Sequence, residues 1–215
     1  PQSRMTGHYT LFSDLNVSRE TYDALKSYQR LIEKWAIRIN LMSRLRREDV
    51  WARHICDSAQ VMGLASKHAA HWIDIGSGGG LPGLVVAILA KELNPKLRVT
   101  LIESDQRKAV FLRTVVRELQ LNAMVQAKRI EAVGPLQADV ISARALADLN
   151  DLLRLTYPFM SQNTQCLFMK GKNWSKEVKE AEKSWQFQAE HFISKTNHEA
   201  VILSVRNVTG APRSK

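Results

Sequence analysis

The chain has 215 residues, of which 45% are hydrophobic and 24% charged, a composition typical of one globular α/β domain with a small appendage. It contains no apolar run near the ~20 residues that a membrane-spanning helix needs, and its polar first residues lack the apolar core of an export signal, so we expect a cytoplasmic protein without membrane contact. The net charge of +10 suits a polyanionic partner, although a basic surface that only maintains solubility would carry the same charge.

Two helices are predicted before the first strand. Apolar residues recur at steps of three or four from Tyr22 to Ile39, and the acids that follow Ser18 suit a helix start. A second helix is predicted from Glu48 to Leu64, after a basic turn. Since both helices precede the sheet, we expect residues 1–66 to form a helical extension packed on a domain of residues 67–215.

From residue 71 onward, predicted strands alternate with predicted helices. The strands are expected at 72–75, 99–103, 124–127, 139–142 and 166–170, and the helices at 81–93, 106–121, 148–157 and 174–187. Two further β-rich runs, at 191–194 and 200–205, could pair as an antiparallel hairpin. This alternation predicts an α/β, Rossmann-like fold with a mostly parallel seven-stranded sheet and helices on both faces. Ligands of such folds bind beyond the carboxyl ends of the strands.

A glycine loop follows the first strand of this domain. Asp74 ends the strand, and Gly76, Gly78 and Gly80 follow it at two-residue intervals. The dinucleotide fingerprint G-x-G-x-x-G fails here, because its third glycine falls on Leu81. An acid followed by this glycine spacing is the first motif of S-adenosylmethionine-dependent methyltransferases. Their cofactor has no phosphate, so it needs close backbone contact and polar anchors.

Glu103, at the end of the next strand, is the candidate anchor for the ribose. A carboxylate there can accept hydrogen bonds from both ribose hydroxyls. The alternative is that Glu103 caps the following helix. Asp74 has a structural alternative as well, as a turn residue that satisfies N–H groups of the glycine loop.

From about Ser18 to Arg206 the chain resembles the RsmG family (older name GidB), bacterial methyltransferases of small-subunit ribosomal RNA. The motifs that carry the resemblance are NL at 40–41, RHxxDS at 53–58, DIGSGGGLPG at 74–83, LIES at 101–104 followed by RK at 107–108 and FLR at 111–113, RIE at 129–131, VISARA at 140–145 and KG at 170–171. RHxxDS together with the LPG form of the loop is specific to this family. Leu146 stands where the family usually has an aromatic residue.

The resemblance implies methyl transfer from S-adenosylmethionine to N7 of one guanine in the decoding-centre (530) loop of 16S rRNA, presented as RNA or as the small ribosomal subunit. It also implies cofactor contacts at Gly76, Leu81, Ile130, Glu131 and Arg144. The alternative for Glu131 is an exposed loop acid. The alternative for Arg144 is a structural ion pair, for instance with Asp148.

The residues are compatible with this reaction. Guanine N7 has a free lone pair, so methylation there needs no general base and can depend on alignment. We therefore predict positioning roles for Arg144 and Lys170 rather than proton transfer. The chain lacks the Asn/Asp-Pro-Pro-aromatic motif of exocyclic-amine methylation. Its two cysteines, Cys56 and Cys166, are expected to be buried thiols, in no context that suits a nucleophile or a metal site.

RNA binding requires cations near the crevice. The candidates are Arg44, Arg46, Arg47, Arg53, His54, Lys170 and Lys172. Arg53 could instead pair with Asp57 along its helix, and His54 could be an ordinary helix histidine.

Three other functions compete with this interpretation. They are a methyltransferase of a protein or small molecule, a cofactor-sensing RNA-binding protein without turnover, and a nicotinamide oxidoreductase, which Leu81 disfavours. We expect a monomer.

Overall fold

The computed structural model describes residues 15–41 and 49–210 of the chain. Helix α1 (Arg19–Ala36) begins at Ser18, whose side chain accepts a hydrogen bond from the backbone N–H of Thr21. A π-helical segment (Val50–Ile55) leads directly into helix α2 (Cys56–Leu64). Both predicted N-terminal helices are therefore confirmed. The basic turn with Arg44, Arg46 and Arg47 lies outside the described residues.

The predicted alternation of strands and helices is confirmed after residue 70. In chain order the elements are β1 (His71–Ile75), α3 (Gly83–Leu93), β2 (Arg98–Ile102), α4 (Gln106–Glu118), β3 (Ala123–Gln126), a 3₁₀ turn (Ile130–Ala132), β4 (Ala138–Arg144), α5 (Leu149–Thr156), a 3₁₀ turn (Tyr157–Phe159), β5 (Met160–Lys170), α6 (Trp174–Ala181), β6 (Gln186–Ile193) and β7 (Val201–Thr209).

The seven strands form one sheet in the order β3-β2-β1-β4-β5-β7-β6. The first five strands in this order are parallel to one another, whereas β7 pairs antiparallel with both β5 and β6. The mostly parallel sheet and the C-terminal hairpin are thus confirmed. Because the order reverses between β1 and β4, a crevice opens beyond the carboxyl ends of these strands.

Several predicted boundaries were wrong, and three of them are instructive. The helix predicted to reach residue 187 ends at Ala181, because Gln186 and Phe187 begin the edge strand β6. Strand β5 starts at Met160 rather than at residue 166, and its early residues are too exposed to show an apolar run. Helix α3 starts at Gly83 rather than at Leu81, since the glycine loop is still turning there.

The sheet is covered on both faces. The side chain of Trp72 packs in the same hydrophobic cluster as Leu25 and Tyr28 of α1 and Leu84 of α3. Ile73, the next residue of β1, packs in the opposite cluster with α5 and α6. The N-terminal helices therefore lie on the face that α3 also covers.

Candidate active site

A crevice of about 720 Å³ lies beyond the carboxyl ends of β1, β2 and β4. It brings together most of the predicted cofactor residues, namely Gly76, Gly78, Leu81, Glu103, Ile130, Glu131 and Arg144. Two other predicted residues, Asp74 and Gly80, do not line it.

The glycine loop forms one wall of this crevice in a backbone conformation that favours glycine. The φ angles of Gly76, Gly78 and Gly80 are +61°, +56° and +90°. A Cβ at Gly76 would lie 2.6 Å from a methyl carbon of Leu146, and one at Gly80 would overlap Leu84. The loop therefore depends on glycine for both its conformation and its packing.

Asp74 lies behind that wall and ties the loop to the sheet. Its side chain is buried, and its Oδ1 accepts a hydrogen bond from Ser142 Oγ at 2.6 Å. A Cβ at Gly83 would lie 2.6 Å from Asp74 Oδ2, so the helix start packs directly against this carboxyl group. Burial raises the pKa of Asp74 to about 6, against the opposing effect of hydrogen bonds led by the one from Ser142.

Glu103 holds the loop at the crevice. Its Oε2 accepts from the backbone N–H of Gly78 at 2.7 Å, and its Oε1 accepts from that of Asp105 at 2.8 Å. The N-cap of α4 is Asp105 itself, which accepts from Arg107 and Lys108. The alternative role of Glu103 as that cap was therefore wrong. Each carboxylate oxygen keeps a lone pair for a further donor.

Arg144 ends β4 between the crevice and the N-terminal helices. Its Nη2 donates to the carbonyl of Arg53 at 3.2 Å and to His54 Nδ1 at 2.9 Å, and lies 3.8 Å from Asp57 Oδ2. The alternative of a structural ion pair for Arg144 is thus present, but its partner is Asp57, because Asp148 caps α5. The buried Nη1 has no hydrogen-bond partner among the residues that the structure describes.

His54 is held neutral by this contact. Burial, together with the charge of Arg144, lowers its pKa to about 4. Because a guanidinium can only donate, Nδ1 of His54 must accept and Nε2 must carry the proton. At neutral pH the predicted RNA contact of His54 would thus come from an uncharged N–H donor.

The other side chains predicted to contact RNA differ in burial and in whether they form an ion pair. Lys170 is buried, pairs with Glu177 Oε2 at 2.5 Å and donates to the carbonyl of Ala147 at 2.7 Å. Arg53 lies 3.5 Å from Asp49, so Asp57, the partner named in its alternative role, was wrong. Lys172 is exposed and forms no ion pair with a described residue.

Sequence reasoning missed several residues of the site. Tyr28 of α1 donates its hydroxyl to the carbonyl of Gly79 at 2.5 Å and so supports the glycine loop. The spacing of Leu25, Tyr28 and Ile32 marks Tyr28 as buried but does not show what its hydroxyl contacts. Lys108, Lys128 and Arg129 line the crevice and were not predicted to do so. Lys128 precedes the matched motif at 129–131 and Arg129 is its first residue, but the motif signalled only cofactor contacts.

The described residues lack two other kinds of feature. Over residues 15–41 and 49–210, no three His, Cys, Asp or Glu side chains form a group that could hold a metal ion. Within the same ranges no helix is both long and apolar enough to cross a membrane. Cys56 and Cys166 are buried and free, as expected.

The strand order and the glycine crevice define the class: this is a Rossmann-like, S-adenosylmethionine-dependent methyltransferase. A putative O-methyltransferase from Klebsiella pneumoniae has the same fold, with a TM-score of 0.58 at 13% identity over 94% of this chain and 96% of that one. The crevice fits the cofactor of this class, since it offers glycine backbone, the Glu103 carboxylate and the side chain of Arg144.

The family follows from sequence comparison. The model of the family described as "GidB: rRNA small subunit methyltransferase G" matches residues 21–203. Proteins named "Ribosomal RNA small subunit methyltransferase G" from Ruegeria sp. (strain TM1040) and Cereibacter sphaeroides (strain ATCC 17025 / ATH 2.4.3) are 48% and 50% identical to the chain. These alignments cover 91% and 89% of this chain and 95% and 92% of the relatives. The chain belongs to the GidB family.

Proposed function

We propose that this protein transfers a methyl group from S-adenosylmethionine to N7 of a guanine in the decoding-centre (530) loop of 16S rRNA. The observation that carries the proposal is the glycine crevice, with Glu103 at one wall and Arg144 Nη1 unpaired, in a chain of this family. The relatives' names specify small-subunit rRNA as their substrate.

Different residues of the crevice bind different parts of the cofactor. Glu103 accepts from the ribose hydroxyls with the lone pairs that its two backbone contacts leave free. Ile130 and Glu131, which line the crevice from the 3₁₀ turn, would contact the adenine. Arg144 Nη1 donates to the carboxylate of the methionine part, a charge-assisted hydrogen bond. Asp74 and Gly80 act from behind the wall, by holding the loop in shape.

The residues of the chain need only align the acceptor. The bound cofactor supplies an electrophilic methyl group on a sulfonium. Guanine N7 has a lone pair ready to attack it, so no side chain has to remove a proton. The contribution of the chain is then proximity and orientation, which can reach ~7–11 kcal/mol. Arg144 and Lys170 act as positioning residues, and the ion pair of Lys170 with Glu177 is consistent with that role.

The remaining parts of the proposal concern the RNA contacts, the compartment, the oligomeric state and the domain division. Phosphates contact Lys172 and Arg53, together with Arg44, Arg46 and Arg47 of the basic turn. His54 contributes an uncharged donor. The protein works as a cytoplasmic monomer, with residues 1–66 as an extension of the methyltransferase domain 67–215.

The test is to map the modified nucleotide in cells that lack the protein and in complemented cells. We expect 7-methylguanosine in the decoding-centre loop only after complementation. In parallel, purified protein with methyl-labelled cofactor should label small subunits from the deletion strain. Absence of label from both naked RNA and subunits would leave a cofactor-binding protein without turnover, or one that acts on another substrate.

A further inference from the structure

A second cleft, of about 410 Å³, adjoins the crevice. Its walls come from the helix that carries Arg53 and His54, from the end of β5 with Lys170 and Gly171, and from the turn between β6 and β7. The volume is within the range of ~300–1,000 Å³ that small-ligand pockets occupy. Its position at the carboxyl end of β5 is where this sheet topology places ligands.

The two clefts share His54, Arg144 and Ala145. Methyl transfer requires the attacking atom to approach the methyl group from the side opposite the sulfur, at a distance near 3 Å. With the cofactor in the crevice, an acceptor in the adjoining cleft would meet it at this shared wall. We propose that the second cleft is the acceptor-base site, which takes a guanine displaced from its RNA stack with its N7 edge toward the shared wall. This inference rests on the proposed function.

The charges of the cleft suit an uncharged base rather than a phosphate. Every cation that lines it is already paired with a carboxylate, as Arg53 with Asp49, Arg144 with Asp57 and Lys170 with Glu177. An anion would therefore find less free positive charge inside the cleft than at its rim, where the side chain of Arg53 is 69% exposed. The phosphates of the same RNA would lie outside, where Lys172 is exposed and unpaired with any described residue.

The hydrogen-bonding groups of the cleft match the polarity of guanine. Glu177 Oε2 is taken by Lys170 and by the backbone N–H of Leu149, whereas Oε1 has no partner among the described residues. This carboxylate oxygen can accept from the N–H edge of guanine, which carries the N2 amino group. At the shared wall, the Nε2–H of His54 can donate to O6 and leave N7 free. Adenine has an amino group in place of O6. This group is a hydrogen-bond donor, so it could not accept from the Nε2–H of His54.

The reaction balances without a further component. The lone pair of N7 forms the new N–C bond while the bond between methyl carbon and sulfur breaks, and that electron pair stays on the sulfur. The base gains the positive charge that the sulfonium loses, and no proton moves. Displacing the base costs unstacking energy, which is smallest where the RNA is single-stranded.

Gly171 offers a direct test of occupancy. It lines only the second cleft, its φ is not in the left-handed region, and a Cβ there would meet nothing within 4 Å. Gly171→Phe therefore adds a large side chain to a residue that lines the cleft, and its Cβ clashes with nothing in the fold. The matched control is Gly134→Phe, because Gly134 is equally open but lines neither cleft.

Three quantities should be measured for both variants with small subunits from the deletion strain. We expect kcat/KM for methyl transfer to fall about 10²-fold or more in Gly171→Phe and to stay at the wild-type value in Gly134→Phe. The calorimetric affinity for S-adenosylhomocysteine should not change in either variant. Affinity for the subunit without cofactor should change little, because phosphate contacts dominate it.

Wild-type kcat/KM in Gly171→Phe would overturn the inference, and so would a parallel loss of affinity for S-adenosylhomocysteine, which would show that the two clefts are one site. If thermal melting shows that Gly171→Phe does not fold, Asn197→Phe adds the ring from the opposite wall, with its exposed neighbour His198→Phe as the control. Failure of the wild-type protein to bind cofactor or label any subunit would instead refute the proposed function.

Discussion

The two adjoining clefts are built in different ways. The crevice is formed by short segments after strand ends: the glycine loop and Glu103 follow β1 and β2 directly, and the 3₁₀ turn at 130–132 is separated from β3 by three residues. The second cleft is assembled by side chains from distant parts of the chain, such as Arg144 with Asp57 and Asp57 Oδ1 with Ser194 Oγ at 2.6 Å. The first is thus fixed by backbone conformation, and the second by packing of the N-terminal helices against the C-terminal hairpin.

The largest effect on stability is expected at Gly83, behind the glycine loop, where a Cβ would be crowded by buried neighbours. Gly83→Ala adds a Cβ that overlaps Leu101 and lies 2.6 Å from Asp74 Oδ2. The higher helix propensity of alanine would add up to ~1 kcal/mol to the free energy of unfolding, but overpacking a buried site costs ~1–3 kcal/mol. We therefore expect lower stability and weaker cofactor binding. Guanidinium unfolding and calorimetry with S-adenosylhomocysteine measure these two quantities.

Gly63→Ala is the matched control, since Gly63 also lies in a helix but its Cβ would have only an ordinary 3.6 Å contact. It should stabilise the protein or leave it unchanged. Equal stability of the two variants would show that the crevice does not depend on the packing described.

The next effect is expected at Arg144, in the wall that the two clefts share. Arg144→Ala removes the donor that both clefts share and leaves Asp57 without its cation. We expect affinity for S-adenosylhomocysteine to fall, and kcat/KM to fall by about 10²-fold. Arg19→Ala, at an exposed i,i+4 pair with Asp23, should change neither quantity. Equal effects of the two substitutions would remove Arg144 from the site.

A pH effect is expected at the same wall. The pKa of His54 is lowered in the folded protein to about 4, so the unfolded chain binds a proton first as the pH falls. Stability contributed by neutral His54 is therefore present above pH 6.5 and is lost between pH 6.5 and about 4. Asp74, whose pKa is raised to about 6, acts with the opposite sign, since its folded form holds the proton longer.

His54→Gln should accordingly lose less free energy of unfolding than the wild type when the pH is lowered through this window. Chemical unfolding at a series of pH values measures the difference. His198→Gln, at an exposed position, is the control and should follow the wild-type curve. A curve for His54→Gln that matches the wild type would contradict the neutral state assigned to His54.

The smallest effect is expected outside both clefts. Lys172→Ala should weaken binding to the small subunit modestly and reduce the slope of log affinity against log salt by about 1, as for one lost phosphate contact. Lys183→Ala is the control, because Lys183 is paired with Glu180 on the exposed side of the helix end. An unchanged salt slope would take Lys172 out of the RNA contacts.

The sequence predicted the fold better than it predicted the partners of its charged residues. The order of strands and helices followed from apolar periodicity, and errors were confined to element ends such as β6, whose exposed residues carry little pattern. In the crevice, Gly76, Leu81 and Glu103 were predicted and do line it. The ion-pair partners named as alternatives for Arg53 and Arg144 were neighbours in the chain, and the structure pairs both arginines with other residues.

The sequence by itself determined the α/β alternation, the glycine loop after β1 and the acid at the end of β2. These depend on residues close in the chain, since backbone conformation and periodicity are local properties. Only the tertiary structure decided that Arg144 meets Asp57 and His54, that Glu177 neutralises Lys170, and that a second cleft opens beside the first. Contacts of this kind depend on how distant helices and strands pack, and many charged pairs are compatible with the same local pattern.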